Sequence, residues 1–194
     1  MALPGLAPEA TDEGDQVVNR AVFLDRDGVL NANVRRDGKL VAPWRIEDFV
    51  LLPGVPAATA RLKELGFTLI VVTNQPDVRT GRTPPATLEV MHDSLRRSLP
   101  IDDIKVCCHI DADGCCCRKP KPGMLLDAAR EHGLDLSRSI MVGDRWRDVE
   151  AGQAAGCLTI FVDCDNFERE TSPDIKVGSL PEAVAEIVAR EKIE

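Results

Sequence analysis

The stretch AVFLDRDGVLN, residues 21–31, places two aspartates on either side of one arginine, directly after a short apolar run. In an extended chain, residues two apart point to the same side, so the carboxylates of Asp25 and Asp27 are expected about 6 to 7 Å apart. At an effective dielectric constant near 20, their repulsion costs on the order of 2 kcal/mol. A divalent cation or a shared proton removes that cost, whereas a solvated Asp-Gly turn dilutes it. The stretch alone leaves both interpretations open.

The composition narrows the classes of protein that the chain can form. Its 194 residues fit one domain with a buried core, and its formal net charge of -8 argues against nucleic acid or an acidic membrane surface as a partner. Residues 1–19 lack the basic start and apolar core of an export signal and predict a disordered lead-in to a single domain at 20–194. No apolar run reaches transmembrane length. We therefore expect a cytoplasmic protein.

Short apolar runs alternate with helical patterns along the rest of the chain. The runs are AVFLD, FTLIVVTN, IKVCCH, SIMVGD and TIFVD, and amphipathic segments such as PGVPAATARLKELG lie between them. Strands that are unbroken apolar runs and return through helices predict a parallel sheet covered on both faces. The predicted fold class is therefore α/β, a doubly wound parallel sheet of the Rossmann-like kind, without a separate cap domain.

Polar side chains follow three of the predicted strands. They are Asp25 and Asp27, then Thr73 and Asn74, and then Asp144 with Asp148 one helical turn later. In an open parallel sheet, ligands bind outside the carboxyl ends of the strands, so these side chains are expected to meet there. Lys119 lies just before a helix that is predicted to start near Pro122, from which its cation would reach the same place.

This set of side chains suits phosphoryl transfer around Mg²⁺, which prefers one or two carboxylates, water and substrate phosphate. Asp25 would attack phosphorus and form an aspartyl phosphate, while Asp27 would protonate the leaving oxygen and later deprotonate water. Thr73, Lys119 and backbone N–H groups after Asp25 would hold the phosphoryl oxygens. Taken singly, Thr73, Lys119 and Asp148 are ordinary strand-end, surface and helix-start residues. Their joint placement favours an enzyme.

Four motifs in this order resemble those of the haloacid dehalogenase (HAD) superfamily of phosphatases: DRDGV at 25–29, VTN at 72–74, RKPKP at 118–122 and GDRWRD at 143–148. The resemblance implies Asp25 as the nucleophile, Asp27 as the general acid and base, and Asp148 as a residue that orients the site. It implies Mg²⁺ held by Asp25, the backbone carbonyl of Asp27, and Asp144. The implied residues for binding substrate and phosphate are Thr73, Asn74, Arg118, Lys119 and Arg145.

Five of the seven cysteines fall within VCCHIDADGCCCRKP, residues 106–120. If both arms of this loop are extended, alternate residues share one side, and the side that includes the histidine offers three sulfurs and one nitrogen. This set predicts a closed, tetrahedral, structural zinc site in the loop 107–117, with the ligands Cys107, His109, Cys115 and Cys117. A disulfide, redox chemistry and simple packing are the alternatives.

The zinc loop is expected to act on the reaction because it leads directly into Arg118 and Lys119. Metal binding would hold these two cations at the active site. The remaining cysteines, Cys157 and Cys164, are interpreted as small buried or edge residues. His92 and His132 are assigned to solvated helix faces.

The C-x-H and C-x-C pairs before RKP resemble the zinc loop of the heptose bisphosphate phosphatases, a branch of this superfamily, and histidinol-phosphate phosphatases are similar here. The stretches KPKPGML and VVTNQ favour the heptose branch. This resemblance implies removal of the 7-phosphate from D-glycero-D-manno-heptose 1,7-bisphosphate, with Arg118 and Arg145 as cations for the second phosphate. A small phosphorylated substrate is thus expected. Alternatives of another class are a phospho-accepting switch module and a zinc-bound binding scaffold.

Overall fold

The computed structural model of the protein describes residues 19–164 and 169–192. The strands are β1 (Ala21–Leu24), β2 (Val34–Arg36), β3 (Lys39–Val41), β4 (Thr68–Asn74), β5 (Asp103–Cys107), β6 (Ile140–Gly143), β7 (Leu158–Val162) and β8 (Ile175–Val177). The α-helices are α1 (Val55–Glu64), α2 (Pro76–Arg79), α3 (Pro85–Ser98), α4 (Gly123–His132), α5 (Trp146–Ala155) and α6 (Leu180–Glu191). Apart from Asn19, the predicted disordered lead-in at 1–19 lies outside the described residues.

Six of these strands form one parallel sheet in the order β5-β4-β1-β6-β7-β8. β1 lies inside the sheet, and its Phe23 pairs with Ile70 of β4 on one side and with Met141 of β6 on the other. All four side chains of β1 are buried, as expected for a strand that is covered on both faces. The apolar run at the start of the quoted stretch therefore forms the interior of the sheet.

Helices cover both faces of this sheet. Val22 and Leu24 of β1 contribute to one apolar cluster, together with buried side chains of α1 and α6. Ala21 and Phe23, which point the other way, contribute to a second cluster with α4 and α5. The alternation along β1 thus feeds two separate cores, and the predicted doubly wound α/β fold is confirmed.

A two-stranded antiparallel hairpin, β2 and β3, lies between β1 and α1. Its turn residues Asp37 and Gly38 have φ of 49° and 77°, the left-handed conformation that two-residue hairpin turns use. Only this hairpin and a 3₁₀ turn at Ile46–Asp48 are inserted there, in agreement with the prediction of no separate cap domain. The hairpin, α2 and β8 were not predicted. Across residues 19–164 and 169–192, helices are too short or too polar to traverse a bilayer.

Candidate active site

The acidic residues collect where the chain leaves β1 and β6 at their carboxyl ends. Asp25 directly follows β1 and Asp144 directly follows β6, and the two strands are neighbours in the sheet. The backbone N–H of Asp25 donates to the carbonyl of Val142 at 2.9 Å, which extends the pairing by one residue. Because α1 and α5 cover opposite faces of the sheet, a crevice opens between these strand ends.

Three buried carboxylates meet in this crevice. One oxygen from each of Asp25, Asp144 and Asp148 lies within 4.8 Å of the others. Burial, followed by the charge of Asp148, raises the pKa of Asp25 to about 8, with smaller contributions from Asp144 and Asp27 and against the opposing effect of Lys119. Such a concentration of negative charge favours a bound cation, and an all-oxygen donor set suits Mg²⁺.

Lys119 is the cation that faces these carboxylates, and its side chain is only 2% exposed. Its ammonium donates to Asp25 Oδ1 at 2.8 Å and to the carbonyl of Val72 at 2.7 Å. It also lies 2.5 Å from Asp148 Oδ1. Burial alone would lower the pKa of Lys119, but the charges of Asp148 and Asp25 outweigh burial and raise it. The lysine therefore stays charged next to the predicted nucleophile.

Asn74, at the end of β4, holds the main chain of Lys119. Its amide Nδ2 donates to the Lys119 carbonyl at 3.1 Å, and its Oδ1 accepts from the Lys119 N–H at 3.1 Å. The side-chain amide thus binds both polar groups of one residue. In this structure Asn74, which the sequence predicts to bind phosphate, fixes the position of the lysine.

Asp27 is held by a set of donors that the sequence analysis did not identify. Arg26, which is fully buried, pairs with Asp27 Oδ1 at 2.9 Å and with Oδ2 at 3.0 Å. Asn31 donates to Oδ1 at 2.9 Å, and Gln75 donates to Oδ2 at 2.7 Å. Two signals were present in the sequence, because Arg26 lies between the paired aspartates and Gln75 directly follows the VTN motif.

The assignment of His92 to a solvated helix face is wrong. His92 is 1% exposed, and its Nε2 lies 3.4 Å from Nη1 of Arg26. Burial, followed by the charge of Arg26, lowers the pKa of His92 to about 4. On α3 it shares a face with the buried Leu88 and Leu95, at helical spacings of four and three. His132 is partly exposed, as predicted, and lies 2.9 Å from Asp103 Oδ2.

An open pocket of about 180 Å³ lies over the crevice. Its lining residues are Asp25, Asp27, Leu40, Val41, Ala42, Asn74, Pro76, Asp77, Arg118, Lys119, Arg145, Arg147 and Asp148. The predicted residues Thr73 and Asp144 are both buried and lie outside this lining. Arg147 and Asp77 line the pocket without having been predicted.

One wall of the pocket is cationic. Nε of Arg118 donates to Asp111 Oδ1 at 2.7 Å, and Nη1 of Arg147 donates to the same oxygen at 3.3 Å. Arg145 donates to the carbonyl of Leu40 on the hairpin at 3.3 Å. Three arginines thus surround the entrance, and one anchors the hairpin above it.

The end of the hairpin and the start of α2 also line the pocket, and one tryptophan connects these two segments. Nε1 of Trp44 donates to Asp77 Oδ2 at 3.0 Å, and Arg82 donates to Asp77 Oδ1 at 3.1 Å. The guanidinium of Arg36 lies 4.4 Å from the centre of the Trp44 ring. The segment after β3 is therefore fixed to the start of α2.

The four predicted zinc ligands form one compact group. Sγ of Cys117 lies 3.2 Å from Sγ of Cys107, 3.5 Å from Sγ of Cys115 and 3.3 Å from Nδ1 of His109. Cys107 lies 3.7 Å from Cys115 and 3.5 Å from the His109 nitrogen. A tetrahedron with metal–sulfur bonds of about 2.3 Å has edges of roughly 3.8 Å, close to these separations. The group can therefore hold a tetrahedral metal ion.

The loop around this group is fixed to the start of α4. The N–H of Gly123 donates to the carbonyl of Cys116 at 3.2 Å, and Lys121 donates to the carbonyl of Cys115 at 2.7 Å. Cys116 is exposed and lies outside the group of four, as the alternation along the loop predicts. Of the three remaining cysteines, Cys157 is buried, Cys108 is half-buried, and Cys164 is half-buried with its Sγ 3.5 Å from Asp144 Oδ2.

Comparisons with known proteins agree with this architecture. The model of the HAD-hydrolase-like family matches residues 116–189. The chain is 37% identical over 168 residues to the D-glycero-beta-D-manno-heptose-1,7-bisphosphate 7-phosphatase of Bordetella bronchiseptica, covering 84% of this chain and 89% of the relative. It is 37% identical over 159 residues to the D-glycero-alpha-D-manno-heptose-1,7-bisphosphate 7-phosphatase of Burkholderia mallei, covering 76% and 81% of the two chains. The chain belongs to this family of HAD phosphatases.

The structural similarity extends over nearly the whole described chain. The crystal structure of the D,D-heptose 1,7-bisphosphate phosphatase from B. bronchiseptica, complexed with magnesium and phosphate, superposes with a TM-score of 0.75 at 32% identity. The superposition covers 88% of this chain and 99% of that chain. The predicted superfamily and the predicted phosphatase class are thus confirmed for this HAD phosphatase.

Proposed function

We propose that the protein removes the 7-phosphate of D-glycero-D-manno-heptose 1,7-bisphosphate through an aspartyl-phosphate intermediate, with residues 20–194 acting as one domain. One observation carries this proposal: the buried Asp25 carboxylate lies in the crevice beside Lys119 and two further carboxylates. The names of the relatives support the substrate. Because these names include both anomers, they do not select one of them.

In the first step, an oxygen of Asp25 attacks phosphorus, and the bond between phosphorus and the sugar oxygen breaks. Asp27 gives a proton to that sugar oxygen, so the sugar leaves as an alcohol and the phosphoryl group remains on Asp25. Lys119 balances the negative charge that this step concentrates around phosphorus. The position of Lys119, 2.8 Å from Asp25 Oδ1, supports this role.

In the second step, Asp27 accepts a proton from water, whose oxygen attacks phosphorus. The bond between phosphorus and Asp25 breaks, which releases inorganic phosphate and restores the carboxylate. The contacts of Asp27 with Arg26, Asn31 and Gln75 support this role because they hold its carboxylate next to the pocket.

The residues of the crevice fit a magnesium ion. Asp25, Asp144 and the backbone carbonyl of Asp27 would hold the ion. When bound, Mg²⁺ would supply positive charge to the phosphoryl oxygens. The carboxylate oxygens of Asp27 already accept from side-chain donors, which favours its carbonyl as the ligand. Asp148, which pairs with Lys119 and accepts from the N–H of Arg145 at 3.0 Å, orients these neighbours.

We also propose that the metal of the Cys/His group is a structural Zn²⁺. Three sulfurs and one nitrogen at tetrahedral separations are a ligand set typical of zinc, and the group leaves no ligand position for substrate. Thiol ligands are preserved in a reducing compartment, which is consistent with action in the cytoplasm. Because Cys117 directly precedes Arg118, a bound metal would hold the cationic wall in place.

The cationic wall is proposed to bind the second phosphate of the substrate. Arg118 and Arg145 line the pocket together with Asp25, and planar guanidinium groups suit a phosphate dianion. Thr73 is proposed to donate a hydrogen bond from its hydroxyl to the phosphoryl group on Asp25; it is buried and directly precedes Asn74, which lines the pocket.

The test is a Mg²⁺-dependent assay with heptose bisphosphate of both anomers, histidinol phosphate and other sugar phosphates. We expect kcat/KM for one heptose anomer to exceed that for histidinol phosphate by at least about 100-fold, because only a bisphosphate engages both the crevice and the arginines. Phosphorus NMR identifies which phosphate is released. A preference for histidinol phosphate would overturn the substrate proposal. Stable phosphorylation of Asp25 without turnover would instead identify a switch module.

A further inference from the structure

We propose that Gln75 is a positioning residue that orients the Thr73 hydroxyl toward the phosphoryl group and fixes Asp27 for proton transfer to the leaving group. This inference rests on the proposed phosphatase reaction and adds a residue to it. Gln75 is 2% exposed and lies directly after β4, between the two side chains that it would control.

The contacts of the Gln75 amide define this role. Its Nε2 donates to Asp27 Oδ2 at 2.7 Å and to Thr73 Oγ1 at 2.8 Å. An amide NH₂ group has two donors and no acceptor, so each of its N–H bonds has one of these oxygens as its partner. In the opposite amide orientation, a carbonyl oxygen would face Asp27 Oδ2, which already accepts from Arg26 at 3.0 Å, and neither Asp27 nor Thr73 would receive a hydrogen bond from Gln75.

This donation determines the direction of the Thr73 hydroxyl. Because Oγ1 accepts from Gln75, the proton of the hydroxyl points elsewhere and is available to an acceptor. A phosphoryl oxygen on Asp25 is such an acceptor. Without Gln75, this contact no longer fixes the direction of the Thr73 hydroxyl, and the phosphoryl group would lose an oriented donor.

The Gln75 amide also holds the Asp27 carboxylate, and it does so from a different segment of the chain than Arg26. Arg26 and Asn31 hold Oδ1, and Arg26 also reaches Oδ2 at 3.0 Å, but these two donors lie in the same loop as Asp27. Among residues 19–164 and 169–192, Gln75 is the side-chain donor to Asp27 that lies outside this loop, because it directly follows β4. Gln75 is anchored in turn, because its backbone N–H donates to the carbonyl of Cys107 at 2.7 Å.

The leaving group provides a test that a purely structural role would not pass. A sugar alkoxide needs a proton from Asp27, whereas p-nitrophenolate leaves without one. In Gln75→Met, which keeps the length but removes both donors, we expect kcat/KM for a sugar phosphate to fall by about 100-fold and that for p-nitrophenyl phosphate by less than about 10-fold. Gln75→Glu places an acceptor against Asp27 and should lower the sugar phosphate value further.

The matched control is Gln153→Met, because Gln153 lies on α5 and donates to the carbonyl of Ser172 at the surface. It should leave both values within about twofold of wild type. Equal losses on the two substrates in Gln75→Met, or no loss on either, would overturn the proposal. Circular dichroism and a melting curve identify a variant that fails to fold.

A binding measurement extends the test beyond turnover. Calorimetric titration with inorganic phosphate and Mg²⁺ should show an affinity about 10-fold weaker in Gln75→Met than in wild type, because the Thr73 donor is no longer oriented. Unchanged phosphate affinity would contradict that part of the inference whatever the substrate is. If heptose bisphosphate is not hydrolysed, the leaving-group comparison uses another alkyl phosphate, so the two proposals fail separately.

Discussion

The crevice at the strand ends and the Cys/His group are two polar clusters built in different ways. Asp25 and Asp144 come from distant parts of the chain and meet because β1 and β6 are parallel neighbours, and Lys119 reaches them from the loop before α4, where Asn74 of β4 holds it. The ligands of the Cys/His group lie within residues 107–117, so one loop brings them together. The first cluster therefore depends on the whole fold, and the second depends on local spacing.

The two clusters also differ in what their electrostatics favour. Burial, together with the like charges that the crevice concentrates, raises the pKa of Asp25 to about 8, so the crevice favours ligand binding and lowers the stability of the metal-free protein. The Cys/His group has the geometry of a closed metal site, which adds to stability once a metal is bound. The clusters meet at Arg118, which follows the last cysteine of the group and lines the pocket.

The largest expected effect is that of Asp25→Asn, which tests the crevice alone. Activity should fall by at least about 10⁴-fold because the nucleophile is lost. Without bound metal, the folded protein holds the Asp25 proton up to about pH 8, whereas the unfolded chain releases it near pH 3.8, so Asp25 lowers the stability of the metal-free protein progressively as the pH rises between these values. Melting curves of metal-free Asp25→Asn should therefore show a smaller loss of stability between pH 3.8 and pH 8 than those of metal-free wild type.

The next effect tests how closely the crevice is packed. Gly28 has a φ of +90°, and a Cβ there would lie 2.2 Å from Asp144 Oδ2. Gly28→Ala should displace Asp144 and lower kcat by about 100-fold. The matched control is Gly66→Ala, where φ is +81° but no atom lies within 4 Å of the added carbon. The control should lose stability through backbone strain and keep its activity; a similar loss of activity in both variants would contradict the steric argument.

Cys117→Ser tests whether the two clusters are coupled. We expect loss of the bound metal, a melting temperature lower by several degrees and kcat/KM lower by about 10-fold, because Arg118 and Lys119 follow the altered ligand directly. Metal analysis, a melting curve and the phosphatase assay measure these three quantities. Cys116→Ser, at an exposed cysteine outside the group, should change none of them. Metal loss with unchanged kinetics would mean that the clusters act independently.

The smallest expected effect concerns the support behind the crevice. Because the pKa of His92 is lowered to about 4, the unfolded chain binds a proton below about pH 6.5 that the folded protein excludes. Between pH 7 and pH 5, this difference should cost about 2 kcal/mol of unfolding free energy. His92→Gln removes the titration of His92. The unfolding free energy of this variant, measured with urea, should therefore fall less between pH 7 and pH 5 than that of wild type. Identical declines would exclude this role of His92.

The sequence predicted the fold and the positions of both clusters because strong local signals pointed to each. Unbroken apolar runs followed by acids identified the strands of the parallel sheet, and alternate residues identified Cys107, His109, Cys115 and Cys117. The hairpin was missed because VRRDGKLV is short and polar, although its Asp-Gly pair is a turn signal. β8 has only three residues, of which Ile175 and Val177 are apolar.

The supporting side chains were missed for a different reason. Arg26, Gln75 and His92 are polar residues that the sequence analysis left unassigned or assigned to solvent, yet all three are buried. Their burial depends on partners that are distant in sequence, such as the Arg26–His92 contact between the loop after β1 and α3. Hydrophobic periodicity identifies apolar positions, and it contains no information on which polar groups are paired inside.

The ammonium group of Lys119 has three N–H bonds, and Asp25, Asp148 and the Val72 carbonyl already occupy all of them. An arriving phosphoryl oxygen can therefore engage this lysine only by exchange with a present acceptor. If the exchanged partner is Asp25, substrate entry itself uncovers the lone pair that attacks phosphorus. The enzyme would thus keep its nucleophile masked until the electrophile has arrived.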